Sequence, residues 1–273
     1  MISLTILTLL VIVAVLAPFM HTVLFSATDF NAIDSGPSLQ HWFGADEVGR
    51  DEYSRVVYAL RVPLVVGIVG TVITVILGTV LGVVAGYFGG LVDSLLGRFT
   101  DLMFAFPGFT LALIVISFFG PGADQLGLGG AGRVLLLTVV FALVSWPSLM
   151  RFVRSITLGM KEQQFVEAAR TSGGTHLKIM RRHLLPNMYG LILVQAAFIV
   201  VAVISTETVI SIFGLTVQQP NPDLGAMLYE GVQRIGIGYW QVLFPGVMLA
   251  ILIVAFTFFA DGVRDAVDPR SRS

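Results

Sequence analysis

Glu207 is the only acid set well inside an apolar run of this chain. An ionisable group in such a place is a functional candidate by default. Its position near the end of the run favours a hydrogen-bonded structural or gating carboxylate over a proton relay. A second group is the string GADEVGRDEYSR at 44–55, which sets Asp46, Glu47, Asp51 and Glu52 against Arg50 and Arg55. These acids lack the one-residue alternation of a calcium-binding loop, so local pairing with the arginines is their expected use. A third is the basic stretch KEQQFVEAARTSGGTHLKIMRRHLLPN at 161–187. Its His176 and His183 have no third ligand nearby, and the surrounding Lys and Arg oppose a bound cation.

No catalytic frame accompanies these groups. The chain lacks G-x-x-x-x-G-K-[ST], so nothing in it cradles nucleotide phosphates, and it lacks H-E-x-x-H and G-x-S-x-G. Ser172-Gly173-Gly174 has neither the leading Leu nor the trailing Gln of an ATPase signature loop, and a helix stop explains it better. With no cysteine there is no disulfide framework or thiolate site.

The elements that hold these groups are set by composition. Hydrophobic residues make up 56% of the chain and charged residues 12%, against about 45–50% and about 25% in a soluble domain. Apolar runs at 2–25, 62–88, 102–119, 134–152, 187–212 and 240–259 have the length of helical membrane spans rather than barrel strands. The fold class is therefore an all-α membrane protein with six transmembrane helices. The net charge of −1 gives no sign of a nucleic-acid partner. Residues 151–182 contain seven of the sixteen Lys and Arg but only Glu162 and Glu167 as acids. Such a cluster belongs on the cytoplasmic side, which puts both termini there and the net-acidic segment 26–61 outside. Three regions follow: 1–61 with the first helix and an outer segment, 62–261 with five helices, and a tail at 262–273.

Within the spans, Gly78, Gly82 and Gly86 repeat every four residues and predict close helix packing, in this subunit or against a paired one. Pro18, Pro63, Pro107, Pro147, Pro186 and Pro245 mark each span in or at its start, which suits a bundle that rearranges around a path. In the basic stretch, residues 163–172 read as a helix with Phe165, Ala168, Ala169 and Ser172 on one face. That mostly small face would let a partner's groove approach the backbone. Gly173-Gly174 stops the helix, and a second basic helix runs from 177 to Pro186, which fits the first turn of the next span.

At these residues the chain resembles a known family. Glu167-Ala168-Ala169, Gly173 and Leu185-Pro186 are similar to the EAA loop in permease subunits of bacterial ABC importers, with His183 where the broad pattern has Ile. An R-H-x-L-P-N ending resembles the peptide and nickel branch. The block at 44–55 is similar to G-T-D-x-x-G-R-D-x-x-S-R of dipeptide and oligopeptide permeases, with Ala45 for the usual Thr. Gly225, Met227, Leu228, Glu230 and Gly231 fall in register with that branch's W-G-x-M-L-x-E-G, Leu224 standing where Trp is usual. The string DGVRDAVDPR at 261–270 resembles its D-G-L-R-D-x-L-D-P-R tail. C-type members usually carry a longer polar tail ahead of the first helix, so a late start site or a trimmed N-terminus is expected here.

The resemblance spans about residues 40–270 and implies a type I ABC importer transmembrane domain in the bacterial inner membrane. It implies a homologous permease as heterodimer partner, two cytoplasmic ATPases that bind ATP and Mg, and an extracytoplasmic substrate-binding protein. No cofactor would sit in this chain, and the chain itself would not be an enzyme. Phe165, Glu167, Ala168, Ala169, Arg170, Gly173, Leu185 and Pro186 would couple to an ATPase. Asp46, Gly49, Arg50, Asp51, Arg55, Gly225, Met227 and Glu230 would form the outer mouth and docking face. Peptides are the favoured substrate, with nickel or another small solute as the alternative. A stand-alone secondary transporter, or a scaffold without transport, is the competing class.

Overall fold

The computed structural model describes residues 2–128 and 130–267. Eleven α-helices and one π-turn account for most of them, and the only bridge between extended residues among those described joins Ala45 to Asp51. The helices are α1 (Ile2–Met20), α2 (Glu52–Ala59), α3 (Arg61–Phe88), α4 (Gly90–Ala105), α5 (Gly108–Asp124), α6 (Gly130–Met160), α7 (Gln164–Thr171), α8 (His176–Ile179), α9 (Leu185–Ile212), α10 (Leu224–Gln233) and α11 (Trp240–Val267). The π-turn Met180–Leu184 joins α8 to α9. Five helical stretches are long and apolar enough to cross a membrane, and the bent pair α4–α5 brings the number to six. Asp268, Pro269 and Arg270 of the expected tail motif lie outside the described residues.

The most extensive contact is between α3 and α6. A Cβ on Gly78 would lie 2.8 Å from Leu149 Cβ, one on Gly82 2.7 Å from the Met150 carbonyl oxygen, and one on Gly86 2.7 Å from Thr157 Cβ. The four-residue glycine repeat thus forms a seam within this subunit, where two backbones pack through small residues. Around it, Val66, Leu137, Phe141, Leu149, Val153, Met188 and Ile192 build the larger core, joining α3, α6 and α9. A second cluster packs α1, α2, α10 and α11 through Leu10, Val56, Met227 and Leu252, and α9 reaches it at Ile204. The outer faces of the spans stay apolar, as at Val69, Val72, Ile76 and Val80 of α3, which suits a lipid or protein surround.

Two boundaries differ from the sequence expectation. Residues 89–101 are not a loop before a span at 102–119. They form most of α4, which turns through 77° into α5. Pro107 sets the break, because the residue before a proline is pushed out of the α region. Phe106 is accordingly extended at φ −101°, ψ 132°. The second basic helix does not stop at Pro186 either. It runs on into α9 through the π-turn, where Leu185 N–H bonds to Met180 O. Widening one turn accommodates a proline that has no N–H and would crowd the carbonyl four residues back.

The seam can be tested by contrast. Gly82→Ala drives a methyl against backbone and is expected to destabilise by about 1–3 kcal/mol. Gly97→Ala, on α4 with nothing within 4 Å, is expected to be neutral or stabilising by about 0.5–1 kcal/mol. Thermal unfolding in mild detergent compares the two, and equal midpoints would contradict the packing.

Candidate functional site

The polar groups gather at the two ends of the bundle. At one end, α6 carries its charges past the apolar span. Arg154 Nη2 donates to Asp93 Oδ2 of α4 at 2.6 Å, and Arg151 pairs with Asp101 while lying 4.3 Å over the Phe104 ring. The chain then bends into α7. Glu167 stands in the first turn and Arg170 in the last, each complementing the helix dipole. Val166 is the buried residue of α7 and joins the main core.

The exit from α7 is a Schellman cap. Gly173 N–H bonds to Arg170 O and Gly174 N–H to Ala169 O, both at 3.0 Å. Gly173 sits at φ +77°, a left-handed conformation that costs any other L-residue about 1–2 kcal/mol. Thr175 caps α8, and Ile179, Met180 and Leu184 turn into the core. A clamp from the end of α3 holds the unit. The Tyr87 hydroxyl lies 3.0 Å from His176 Nδ1, and the Arg170 guanidinium is 5.4 Å from the Tyr87 ring centre.

One side of this helix–turn–helix is therefore fastened to α3 and the core, while the other is free. Phe165, Glu167, Ala168, Arg170, Ser172 and Gly173 are exposed. Ala169 departs from the expected open face: it is half-buried and packs on the core. Leu185 is half-buried on the same core, and Pro186 is exposed.

At the other end, the string 44–55 folds into a buried charge network. Asp46 accepts from Arg50 Nε at 2.6 Å and from Arg50 N–H at 2.8 Å, and also binds Arg55. Arg55 Nη2 reaches Glu230 of α10 at 3.1 Å, and Arg50 Nη1 donates to Gln219 Oε1 at 3.0 Å. Gln219 closes the ring on Glu230 at 2.7 Å. Asp51 caps α2 by accepting from Ser54 N–H at 2.9 Å, and it meets His41 Nδ1 at 2.9 Å. Gly49, at φ +78°, lets the loop lie on residue 29, where a Cβ would fall 1.9 Å from the Asp29 carbonyl oxygen.

The network pins α10 against the outer loop. The local pairing expected of these acids and arginines is found at Asp46, Arg50 and Arg55, but together with Asp51 they are buried rather than on an open docking face, because each satisfies its charge inside the network. Gly225 and Met227 also turn inward. Met227 is 1% exposed in the second core, and a Cβ on Gly225 would be 2.6 Å from Ser211 Cβ. These six position the outer surface rather than form it, and Glu230 is the one that reaches solvent in part.

Glu207 lies beneath this surface and is 1% exposed. It meets Asp223, while its Oε1 has no hydrogen-bond partner among the described residues. Asp223 caps α10 by accepting from Gly225 N–H at 2.9 Å and also binds Ser211. Sequence reasoning passed over Asp223, although an acid just before an apolar helical run is the usual N-cap signal. It also missed His41, Tyr87, and the Asp34–Arg234 pair with Gln241, whose Nε2 donates to Asp34 Oδ1 at 3.0 Å. Their partners are distant in sequence, so no local signal marks them. The Arg234 hydrogen bond holds the Asp34 carboxyl below the ordinary carboxylate range. A depressed pKa contributes stability above that range, and acidification through it removes the contribution.

Asp46→Asn should leave Arg50 and Arg55 buried without their shared anion, at a cost of about 3–5 kcal/mol. Glu230→Gln removes a partly solvated partner and should cost about 1 kcal/mol or less. Thermal unfolding of the two variants in detergent reads the difference, and an Asp46 effect no larger than that of Glu230 would contradict the network.

A family model described as binding-protein-dependent transport system inner membrane component matches residues 78–273. The oligopeptide transport system permease protein OppC of Escherichia coli strain K12 is 36% identical over 272 residues, covering 99% of this chain and 86% of that one. The dipeptide transport system permease protein DppC of Alkalihalophilus pseudofirmus is 34% identical over 272 residues, covering 100% and 86%. The glutathione transport system permease protein GsiD of Shigella flexneri serotype 5b is 39% identical over 242 residues, covering 89% and 76%. Among solved structures, the inward-facing MetNI methionine ABC transporter matches with a TM-score of 0.57 at 20% identity, over 78% of this chain and 96% of that one. That likeness speaks to the fold alone.

Proposed function

Since the chain belongs to the binding-protein-dependent transport system inner membrane component family, we propose that it is the membrane-spanning permease subunit of an ATP-driven peptide importer. The relatives above are permeases named for oligopeptides, dipeptides and glutathione, so a peptide substrate is the reading with most support. Two ATPases that bind ATP and Mg would work from the side of α7, a homologous permease would complete the path, and an extracytoplasmic binding protein would deliver the solute. The excess of Lys and Arg in 151–182 supports a cytoplasmic position for α7 and α8 in the bacterial inner membrane.

The observation that carries this reading is the half-anchored state of α7. Its back is held by Val166 and Ala169, and α8 beyond it by the Tyr87–His176 contact, while its front presents Phe165, Ala168 and Ser172. A rigidly backed helix with a small-faced front can sit in a socket and pass a shift of that socket into the bundle, because packed contacts are bistable rather than soft. Phe165, Glu167, Ala168, Arg170 and Gly173 would be the socket contacts, with Ala169, Leu185 and Pro186 shaping their support. Glu207, beside the cap of α10, would serve as a structural or gating group on the outer side.

Ala168→Leu and Gly173→Val are expected to leave membrane insertion intact and to lower peptide uptake by the reconstituted complex at least tenfold. The stimulation of ATP hydrolysis by the loaded binding protein should disappear with it. Normal uptake in both variants would refute the coupling assignment, and purification without any ATPase in mild detergent would favour a stand-alone transporter.

A further inference from the structure

The α4–α5 break opens a cavity of ≈ 420 Å³ in the flank of the bundle. Ser145 and Ser148, near the middle of α6, line it together with Gln195 and Phe198 of α9 and Phe106 at the break. The side chains of Ser145, Ser148 and Gln195 make no hydrogen bond to any described residue. In hydrocarbon, a carboxamide without a partner is costly, and irregular backbone at membrane depth persists only where it is buried in protein or lines a wet cavity. Phe106 and Gly108 bring the broken backbone to the cavity wall, and Pro107 between them gives α5 no side-chain cap. The combination of an amide, two hydroxyls and a broken helix suits a hydrated channel wall better than a lipid face.

We infer that this groove is the subunit's share of the solute path, and that Gln195 holds the peptide backbone of the passing solute. This deepens the importer reading and rests on it. A carboxamide offers two donors and an acceptor, the complement of a peptide unit, and it carries no charge that would select among side chains. The solutes named for the relatives differ in length and side chains but share amide bonds. The flanking Phe106 and Phe198 give apolar walls that tolerate varied side chains. Ser145 and Ser148 add adaptable hydrogen bonds on the facing helix.

Because the chain contains no cysteine, a single Ser148→Cys reports the groove directly in the reconstituted complex of all subunits. A water-soluble, positively charged methanethiosulfonate is expected to label it. Saturating trialanine, delivered by the binding protein, should slow the reaction about tenfold. Gln195→Leu is expected to lower uptake of trialanine and triphenylalanine by the same factor, about fivefold for one neutral hydrogen bond. Gln195→Asn should recover part of the loss. The inference is overturned if Ser148→Cys is unreactive, as it would be under a covering partner subunit, or reacts equally fast with and without trialanine. It is also overturned if Gln195→Leu transports normally or penalises one tripeptide alone. A wild-type complex that takes up neither tripeptide would instead overturn the importer reading, and the proposed occupant with it.

Discussion

The close approach of α3 to α6 is the contact on which the remainder of the molecule depends. Membrane helices gain little from hiding apolar surface from one another, since lipid is equally apolar, so small residues and backbone proximity must hold them together. Gly78, Gly82 and Gly86 provide that proximity to Leu149, Met150, Val153 and Thr157. The seam leads to the elements of both proposed sites. Tyr87, next to the last glycine, clamps α8, and α6 runs directly into α7. Leu149 and Met150 follow Ser148 of the groove. A displacement of α7 therefore has a packed, short route to the cavity at the α4–α5 break.

The outer end is organised on different physics. There, charges are buried and paired rather than solvated, and each arginine is held by more than one acceptor. Buried pairs are poor sources of net stability but demand a single geometry, since losing one partner strands the other. Asp46, Arg55 and Glu230 thereby fix where α10 lies, while Asp223 fixes how it begins. The surface at this end is thus specified from beneath mostly by residues that are themselves buried.

Much of this was legible in the sequence, for reasons that differ by element. Five of the spans, the small seam and the Gly173 stop are local patterns, and each appears about where composition and spacing put it, whereas the third span is broken at Pro107. The EAA resemblance located α7, but not that Ala169 leans on the core, because burial of a small residue depends on what lies opposite. The α4 helix was misjudged because its charges read as loop, although Pro107 marked the true boundary. Asp34 with Arg234, Arg55 with Glu230 and Tyr87 with His176 pair across 200, 175 and 89 residues, which no local reading can supply. The groove residues were invisible for a related reason: Gln195 and the two serines mean little until the break in α4–α5 brings them together.

The proposal to test is that α7, α8 and the α3–α6 seam would move as one body when the proposed ATPase partners close. Spin labels at Ala168→Cys on α7 and Ile76→Cys on the outer face of α3 test it in the assembled transporter by electron–electron double resonance. The account predicts the same distance distribution within this subunit in the nucleotide-free and ATP-bound states, while the distance from Ala168→Cys to the partner permease changes. A shift between the two labels of this subunit, with its partner distance unchanged, would contradict it.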